Sequence, residues 1–65
     1  MRILVNGAPH DVAAATLDTV LTELGYADQR IATALDGDFV PARRRADRML
    51  AENCRIEIVS PMQGG

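Results

Sequence analysis

The stretch that decides the fold is Thr16-Leu-Asp-Thr-Val-Leu-Thr-Glu-Leu-Gly25. Its leucines and valine fall at positions i, i+3, i+4 and i+7, the spacing of an amphipathic helix with one apolar stripe. Thr16 is typical of a helix N-cap, Asp18 suits the positive end of the helix dipole, and Gly25 is typical of the residue that follows a helix. The sequence therefore predicts one helix, from Thr16 to Leu24, whose stripe must pack against another apolar layer.

Two short strands are predicted before this helix. Residues 2–5 are mostly apolar, and Asn6-Gly7 follows them as a strong signal for a type I′ hairpin turn, whose two central residues need positive φ. The returning strand is predicted over 9–12. Pro9 stands at its start, because proline cannot donate a hydrogen bond within a sheet.

A second hairpin is predicted after the helix. Ile31–Leu35 and Phe39-Val40 flank Asp36-Gly37, another turn signal of the same kind. The arginine-rich stretch that follows is predicted to hold a helical turn, with Met49 and Leu50 directed inward.

The last strand is predicted over 55–59, after a turn at 52–54. Its residues alternate between polar and apolar, as those of a half-buried strand do. The sequence thus predicts an α+β fold in which a mixed four- to five-stranded sheet packs on one main helix. The other face of that sheet must meet water or a partner.

The length and the cysteine count limit what the chain can be. Its 65 residues allow one domain, and a domain this small is marginally stable unless disulfides or metals reinforce it. One cysteine, Cys54, and one histidine, His10, supply neither an internal disulfide nor a structural zinc site. We therefore expect an aliphatic core with Phe39 and Tyr26 as its only large rings. A deep substrate pocket would use up most of that core, which disfavours a self-contained enzyme.

Charge and hydropathy argue against further classes of function. The formal net charge is −2, whereas nucleic-acid-binding domains usually carry a basic excess. No apolar run approaches the roughly 20 residues of a membrane span. Without a signal-peptide pattern, and with one cysteine, the chain is expected in the reducing cytoplasm. All seven basic residues are arginine, so the chain has no lysine amine that could be acylated.

The last six residues, 60–65, differ from the rest of the chain. Pro61 and the paired glycines Gly64 and Gly65 end any periodicity, which predicts a flexible tail after a domain over 1–59. A tail of this length is short enough to be positioned and long enough to enter the cleft of another protein.

Four segments of the chain, taken together, resemble a known family. They are Met1-Arg-Ile-Leu-Val-Asn-Gly7, the predicted helix with its caps, Ala34-Leu-Asp-Gly-Asp-Phe-Val-Pro41 and Arg55-Ile-Glu-Ile-Val-Ser-Pro-Met-Gln-Gly-Gly65. Through these segments nearly the whole chain resembles the ThiS family, the sulfur carrier proteins of thiamine biosynthesis, which have a ubiquitin-like β-grasp fold. One departure is that Asn53-Cys54 stands where the family usually has Gly-Asp. Asparagine suits such a turn because it tolerates positive φ.

The resemblance implies a function in which the chain is a substrate rather than a catalyst. A ThiF-like adenylyltransferase would use ATP to adenylate the carboxylate of Gly65, and a sulfur donor such as a cysteine desulfurase would supply the sulfur of a thiocarboxylate. A thiazole synthase would then take that sulfur. The family thus implies that Gly64, Gln63 and Met62 enter the partner's active site, and that the chain itself needs no catalytic residue, metal or bound cofactor.

Strand parity indicates where a partner docks. If Ile3, Val5 and the isoleucines of the last strand face the helix, Leu4 and Val59 face outward and add an apolar centre to a polar face. We therefore predict partner docking at Leu4 and Val59.

Three other features carry weaker signals. Arg43–Arg45 is expected to be a solvated surface segment, the alternative being contact with an acidic partner. Cys54 is expected to be a small turn residue rather than a carrier of persulfide sulfur. His10 has no visible catalytic neighbour in the sequence and is expected at the surface.

Two alternative functions stay open at this point. The small subunit of a molybdopterin synthase also ends in Gly-Gly, although such subunits tend to be longer. A ubiquitin-like modifier that attaches to lysines of target proteins is the other alternative.

Overall fold

The computed structural model describes residues 1–60. The predicted modification site Gly65 and the tail residues Gly64, Gln63 and Met62 lie outside the described residues. Over residues 1–60 the chain forms five strands, one α-helix and one 3₁₀ helix. Their bounds are β1 Arg2–Val5, β2 Ala8–Asp11, α1 Leu17–Glu23, β3 Ala32–Leu35, β4 Asp38–Val40, the 3₁₀ helix Ala42–Asp47 and β5 Arg55–Val59.

The helix α1 forms where its apolar spacing predicts it. Thr16 is the N-cap: its hydroxyl accepts a hydrogen bond from the Thr19 N–H, and the Thr19 hydroxyl in turn accepts from the Thr16 N–H. This reciprocal pair satisfies two backbone donors that a helix start leaves free. The helix ends at Leu24 as C-cap, followed by Gly25 with φ +93°, a conformation that favours glycine.

The sheet is mixed and has the order β2-β1-β5-β3-β4. β1 and β5 run parallel side by side, and the three other pairings are antiparallel. The α+β class and the mixed five-stranded sheet on one main helix are confirmed. β5, the last strand that residues 1–60 form, thereby lies in the middle of the sheet.

The core lies between α1 and one face of this sheet and is aliphatic, as expected. Tyr26 is half-buried against it. The prediction that Phe39 belongs to this core is wrong, because its side chain is 68% exposed. Met49 is also exposed, whereas Leu50 is buried as predicted. The buried apolar side chains are Ile3, Val5, Val12, Leu17, Val20, Leu21, Leu35, Val40, Leu50, Cys54, Ile56 and Ile58.

The predictions for Phe39 and Met49 are wrong for the same reason: in extended backbone, successive side chains point to opposite faces. The turn at Asp36-Gly37 pairs Phe39 with Ala34, and residues directly opposite each other point to the same face. Because the neighbouring Leu35 and Val40 point into the core, Phe39 must point away from it. Met49 likewise alternates with the buried Leu50.

The turn before β5 contains the departure from the family pattern. Asn53 has φ +66°, so asparagine takes the left-handed conformation that the expectation required. Its N–H donates to the Arg2 carbonyl at 2.7 Å. The next residue, Cys54, is buried in the core, which makes it a packing residue rather than an exposed thiol.

Candidate functional site

The outer face of the sheet, which is the face away from α1, carries the residues that strand parity predicts. Ile3 and Val5 of β1, and Ile56 and Ile58 of β5, are all buried, so their neighbours along each strand point outward. The outer face comprises Arg2, Leu4, Pro9, Asp11, Ala32, Ala34, Phe39, Arg55, Glu57 and Val59.

Four of these residues form an apolar patch: Ala32, Ala34, Phe39 and Val59. Phe39 lies opposite Ala34 across β4 and β3, and Val59 lies opposite Ala32 across β5 and β3. Phe39 is 68% exposed and Val59 is 63% exposed. The patch lines a shallow depression of about 310 Å³, with Asn6 and Glu57 on its polar rim. An exposed aromatic ring in a depression with a polar rim is the arrangement common at protein interfaces.

The two residues predicted to share a docking centre are not adjacent. Leu4 lies opposite Arg55 at the start of β5, and Val59 is four residues further along that strand. At about 3.3 Å per residue the two side chains are about 13 Å apart along the strand. The exposed Glu57 lies between them, and the exposed Arg55 lies beside Leu4. The structure therefore places Val59 in the apolar patch and the half-buried Leu4 outside it.

Phe39 is the residue of this face that the sequence reasoning missed. The signal was present, because a two-residue hairpin turn at Asp36-Gly37 fixes the pairing of every residue around it. Residue 39 must then lie opposite residue 34. The expectation that a large ring belongs in the core outweighed that pairing.

The end of β5 is held by the side chain of Asn6. The Asn6 Oδ1 accepts from the Ile58 N–H at 2.8 Å, and the Asn6 Nδ2 donates to the Ile58 carbonyl at 3.1 Å. We call this pair of bonds the Asn6 clamp. Asn6 also occupies the first turn position with φ +50°, the only role that the sequence predicted for it. The clamp joins residues 52 positions apart, so no local pattern could have indicated it.

The start of β5 is held in a related way by the other hairpin. Asp36, with φ +49°, donates its N–H to the Arg55 carbonyl at 2.7 Å, and its Oδ1 accepts from the Arg55 N–H at 2.8 Å. The first turn residue of each hairpin therefore bonds to one end of the central strand.

The three arginines Arg43–Arg45 differ in their exposure. Arg43 and Arg44 are exposed, as expected of a solvated segment. Arg45 is half-buried, where its Nε donates to the Thr33 hydroxyl at 3.0 Å and its Nη2 donates to the Ile31 carbonyl at 2.8 Å. Arg45 thus ties the 3₁₀ helix to β3.

One ion pair stands on the outer face, away from the apolar patch. Arg2 and Asp11 lie opposite each other across β1 and β2, with Nε and Oδ1 2.7 Å apart. The hydrogen bond and then the charge of Arg2 lower the pKa of Asp11 below its ordinary value. The same hydrogen bond and then the negative charge of Asp11 raise the pKa of Arg2. The two side chains are 51% and 72% exposed, so this pair belongs to the surface and not to the core.

The remaining candidates have structural or surface positions. His10 is exposed on β2. None of the helices formed by residues 1–60 has the length and apolar character needed to cross a membrane. Over the same residues, no three His, Cys, Asp or Glu side chains come together as a set of metal ligands.

The arrangement suits the binding of another protein beside the end of β5. A partner that covers the apolar patch also covers Val59, the last residue of β5. The segment that follows therefore begins at the edge of the candidate docking surface.

Comparisons with known proteins agree with this architecture. The model of a family described as the ThiS family matches residues 3–65. The fold is similar to a crystal structure of a thiamine biosynthesis protein (ThiS) from Geobacter metallireducens, with a TM-score of 0.82, 23% identity and 100% of both chains covered. It is also similar to a solution NMR structure of a thiamine biosynthesis protein from the same organism, with a TM-score of 0.78 and 23% identity, over 100% of this chain and 88% of that chain. No curated protein matched the sequence.

Proposed function

The chain belongs to the ThiS family, and from that premise we propose that it is a sulfur carrier in thiamine biosynthesis. The observation that carries the proposal is the extent of the family match. It runs from residue 3 to residue 65 and so includes both the fold and the Gly-Gly end. The carrier is a protein co-substrate, and its partners supply the catalysis.

The reacting group in this proposal is the carboxylate of Gly65. A carboxylate is a poor electrophile, because its charge is shared by two oxygens. Attack of that carboxylate on the α-phosphate of ATP, in the active site of a ThiF-like adenylyltransferase, gives an acyl-adenylate and releases pyrophosphate. A persulfide sulfur, formed by a donor such as a cysteine desulfurase, then attacks the carbonyl, and AMP leaves. Reduction of the resulting S–S bond by a thiol frees the thiocarboxylate, which passes its sulfur to a thiazole synthase.

The residue types at the end of the chain suit this route. Gly64 and Gly65 have no Cβ, so a narrow cleft admits them, and they adopt backbone conformations closed to other residues. Gln63 and Met62 complete the segment that enters the partner. ATP belongs to the adenylyltransferase, and the chain binds no cofactor of its own in this scheme.

The apolar patch is the proposed docking surface for the adenylyltransferase. Val59 was expected there from strand parity, and Phe39 adds the largest exposed apolar side chain of the face. Leu4 lies on the same face outside the patch, beside Arg55. Because β5 runs from Arg55 to the patch, docking there would set where the tail starts.

The test is the mass of the intact chain after reaction. The full chain is incubated with a ThiF-class adenylyltransferase, ATP, cysteine, a cysteine desulfurase and a thiol reductant. We expect a mass gain equal to the replacement of one oxygen by sulfur, localised to the C-terminal peptide. The control is the chain that lacks Gly65, which should stay unmodified.

Three outcomes would contradict the proposal. An unchanged mass would refute adenylation and sulfur transfer. A ladder of conjugates with other proteins would favour a protein modifier. A thiocarboxylate consumed by a molybdopterin synthase large subunit, and not by a thiazole synthase, would move the carrier to the other pathway.

A further inference from the structure

We propose that the side-chain amide of Asn6 is a positioning residue for the transfer reaction, because it fixes the end of β5 from which the tail leaves. This inference rests on the proposed function. The observation behind it is the Asn6 clamp, in which Oδ1 and Nδ2 bond to the Ile58 N–H and carbonyl at 2.8 and 3.1 Å.

The clamp extends the parallel pairing of β1 and β5 beyond the point where β1 stops. The Leu4 N–H donates to the Cys54 carbonyl, and the Asn6 N–H donates to the Ile56 carbonyl, each at 2.9 Å. If the ladder continued, the Ile58 N–H would bond to the backbone carbonyl of Asn6, and the Ile58 carbonyl would accept from residue 8. The chain has turned into the hairpin by then, with φ +50° at Asn6. The side-chain amide of Asn6 serves both backbone groups instead.

On the side away from β1, the end of β5 is held by β3. β3 pairs with β5 up to Val59, which lies opposite Ala32. Without the clamp, the Ile58 N–H and carbonyl that face β1 would have to turn to water, and the strand would be held from one side only. With it, both sides of β5 are held up to the last residues before the tail.

A fixed strand end matters because the reacting group is six residues further on, at residue 65. Six residues span at most about 22 Å, so a frayed strand end changes which points in a partner's cleft the terminus reaches. Reaction rates depend on such placement to within about 1 Å. Val59 follows Ile58 and belongs to the apolar patch, so the clamp also fixes the tail relative to the docking surface.

Asn6 combines two properties that a substitution can separate. Glycine at this position keeps the positive φ that the turn needs and removes the amide. Aspartate keeps the shape of the side chain and its acceptor oxygen, but a carboxylate cannot donate to the Ile58 carbonyl and places negative charge against it.

The chain offers a matched control in Asp36. Like Asn6 it is the first residue of a two-residue hairpin turn with positive φ, and its side chain bonds to the backbone of β5. It does so at Arg55, at the opposite end of the strand from the tail. A change at Asp36 therefore perturbs the same strand by the same kind of contact without touching the exit of the tail.

The experiment compares Asn6→Gly, Asn6→Asp and Asp36→Gly with the unaltered full chain as substrates of a ThiF-class adenylyltransferase. Steady-state kinetics are measured by pyrophosphate release at a temperature at which circular dichroism shows every variant folded. We expect Asn6→Gly to lower kcat about tenfold. Because Asn6 also lines the depression of the apolar patch, KM is measured beside kcat, and a loss confined to KM would assign Asn6 to docking and overturn the inference. Asn6→Asp should be at least as slow, and Asp36→Gly should behave like the unaltered chain.

Amide hydrogen exchange supplies a second readout that general destabilisation would not reproduce. Exchange at Ile58 and Val59 should accelerate in Asn6→Gly more than in Asp36→Gly, and exchange at Arg55 should show the reverse. A normal kcat in Asn6→Gly or in Asn6→Asp would overturn the inference, as would an equal loss in Asp36→Gly. If the unaltered chain releases no pyrophosphate at all, the proposed function itself has failed.

Discussion

The exposure of Phe39 predicts that its removal weakens binding strongly and folding only slightly. A phenylalanine carries about 150–250 Å² of surface, and 68% of Phe39 is open, which leaves roughly 130 Å² for a partner to cover. At about 25 cal/mol per Å² this area contributes about 3 kcal/mol to binding. Because ordering the interface offsets part of that gain, we expect Phe39→Ala to raise the Kd for the adenylyltransferase about 10- to 100-fold.

The free energy of unfolding should change far less. Only about a third of the Phe39 side chain contacts the rest of the protein, so the same coefficient limits the loss to less than about 2 kcal/mol. Isothermal titration calorimetry with a ThiF-class adenylyltransferase, without ATP, measures the binding, and urea unfolding measures the stability. Leu4→Ala is the control on the same face, and it should raise the Kd less than Phe39→Ala does. Binding of Phe39→Ala within about twofold of the unaltered chain would refute the assignment of the patch.

Three further predictions concern stability and reactivity. Arg45→Met keeps the apolar stem but loses two hydrogen bonds, so it should lower the free energy of unfolding in urea by about 1–3 kcal/mol, whereas Arg43→Met should leave it unchanged; equal effects would contradict the structural role of Arg45. Arg2→Met should raise the pKa of Asp11, followed by carboxyl NMR, towards its ordinary value. Because the pKa of Asp11 is lowered in the folded state, Asp11 contributes stability at neutral pH, and this contribution is lost as the pH falls through that pKa. The free energy of unfolding of Arg2→Met should not show this loss. Cys54 is buried and should react with a maleimide only as fast as the protein unfolds; rapid labelling of the folded chain would show that the thiol is accessible.

Local patterns predicted most of the elements because each depends on neighbouring residues. The 3.6-residue period and the caps located α1 to within about a residue at each end. The alternation of residues 55–59 gave the bounds of β5, and the two turn signals placed both hairpins. In each case the physical cause, a period or a positive φ, can be seen in a short stretch of sequence.

The candidate site was predicted less completely because it depends on the order of the strands. Leu4 and Val59 share a face by parity alone, but their separation follows from the register of β1 against β5. The Asn6 clamp needs β5 to lie beside the first hairpin, and no local pattern states that. Phe39 is a different case, since its outward direction follows from the turn at Asp36-Gly37 once pairing is given more weight than ring size.

The parallel pairing of β1 and β5 has a consequence for chemical self-damage. Any nearby amine can attack the carbonyl of an acyl-adenylate. AMP then leaves, and the product is an unreactive amide. The sequence contains no lysine, and the Met1 ammonium donates to the Val12 carbonyl at 2.9 Å. The two strands run in the same direction, and Leu4 lies opposite Arg55. Met1 is three residues before Leu4 and Val59 is four residues after Arg55, so the two are seven residues apart along the sheet, or about 23 Å. The remaining six residues span at most about 22 Å, so an activated end comes near the amine of its own chain only if those residues turn back along β5 and stay almost fully extended.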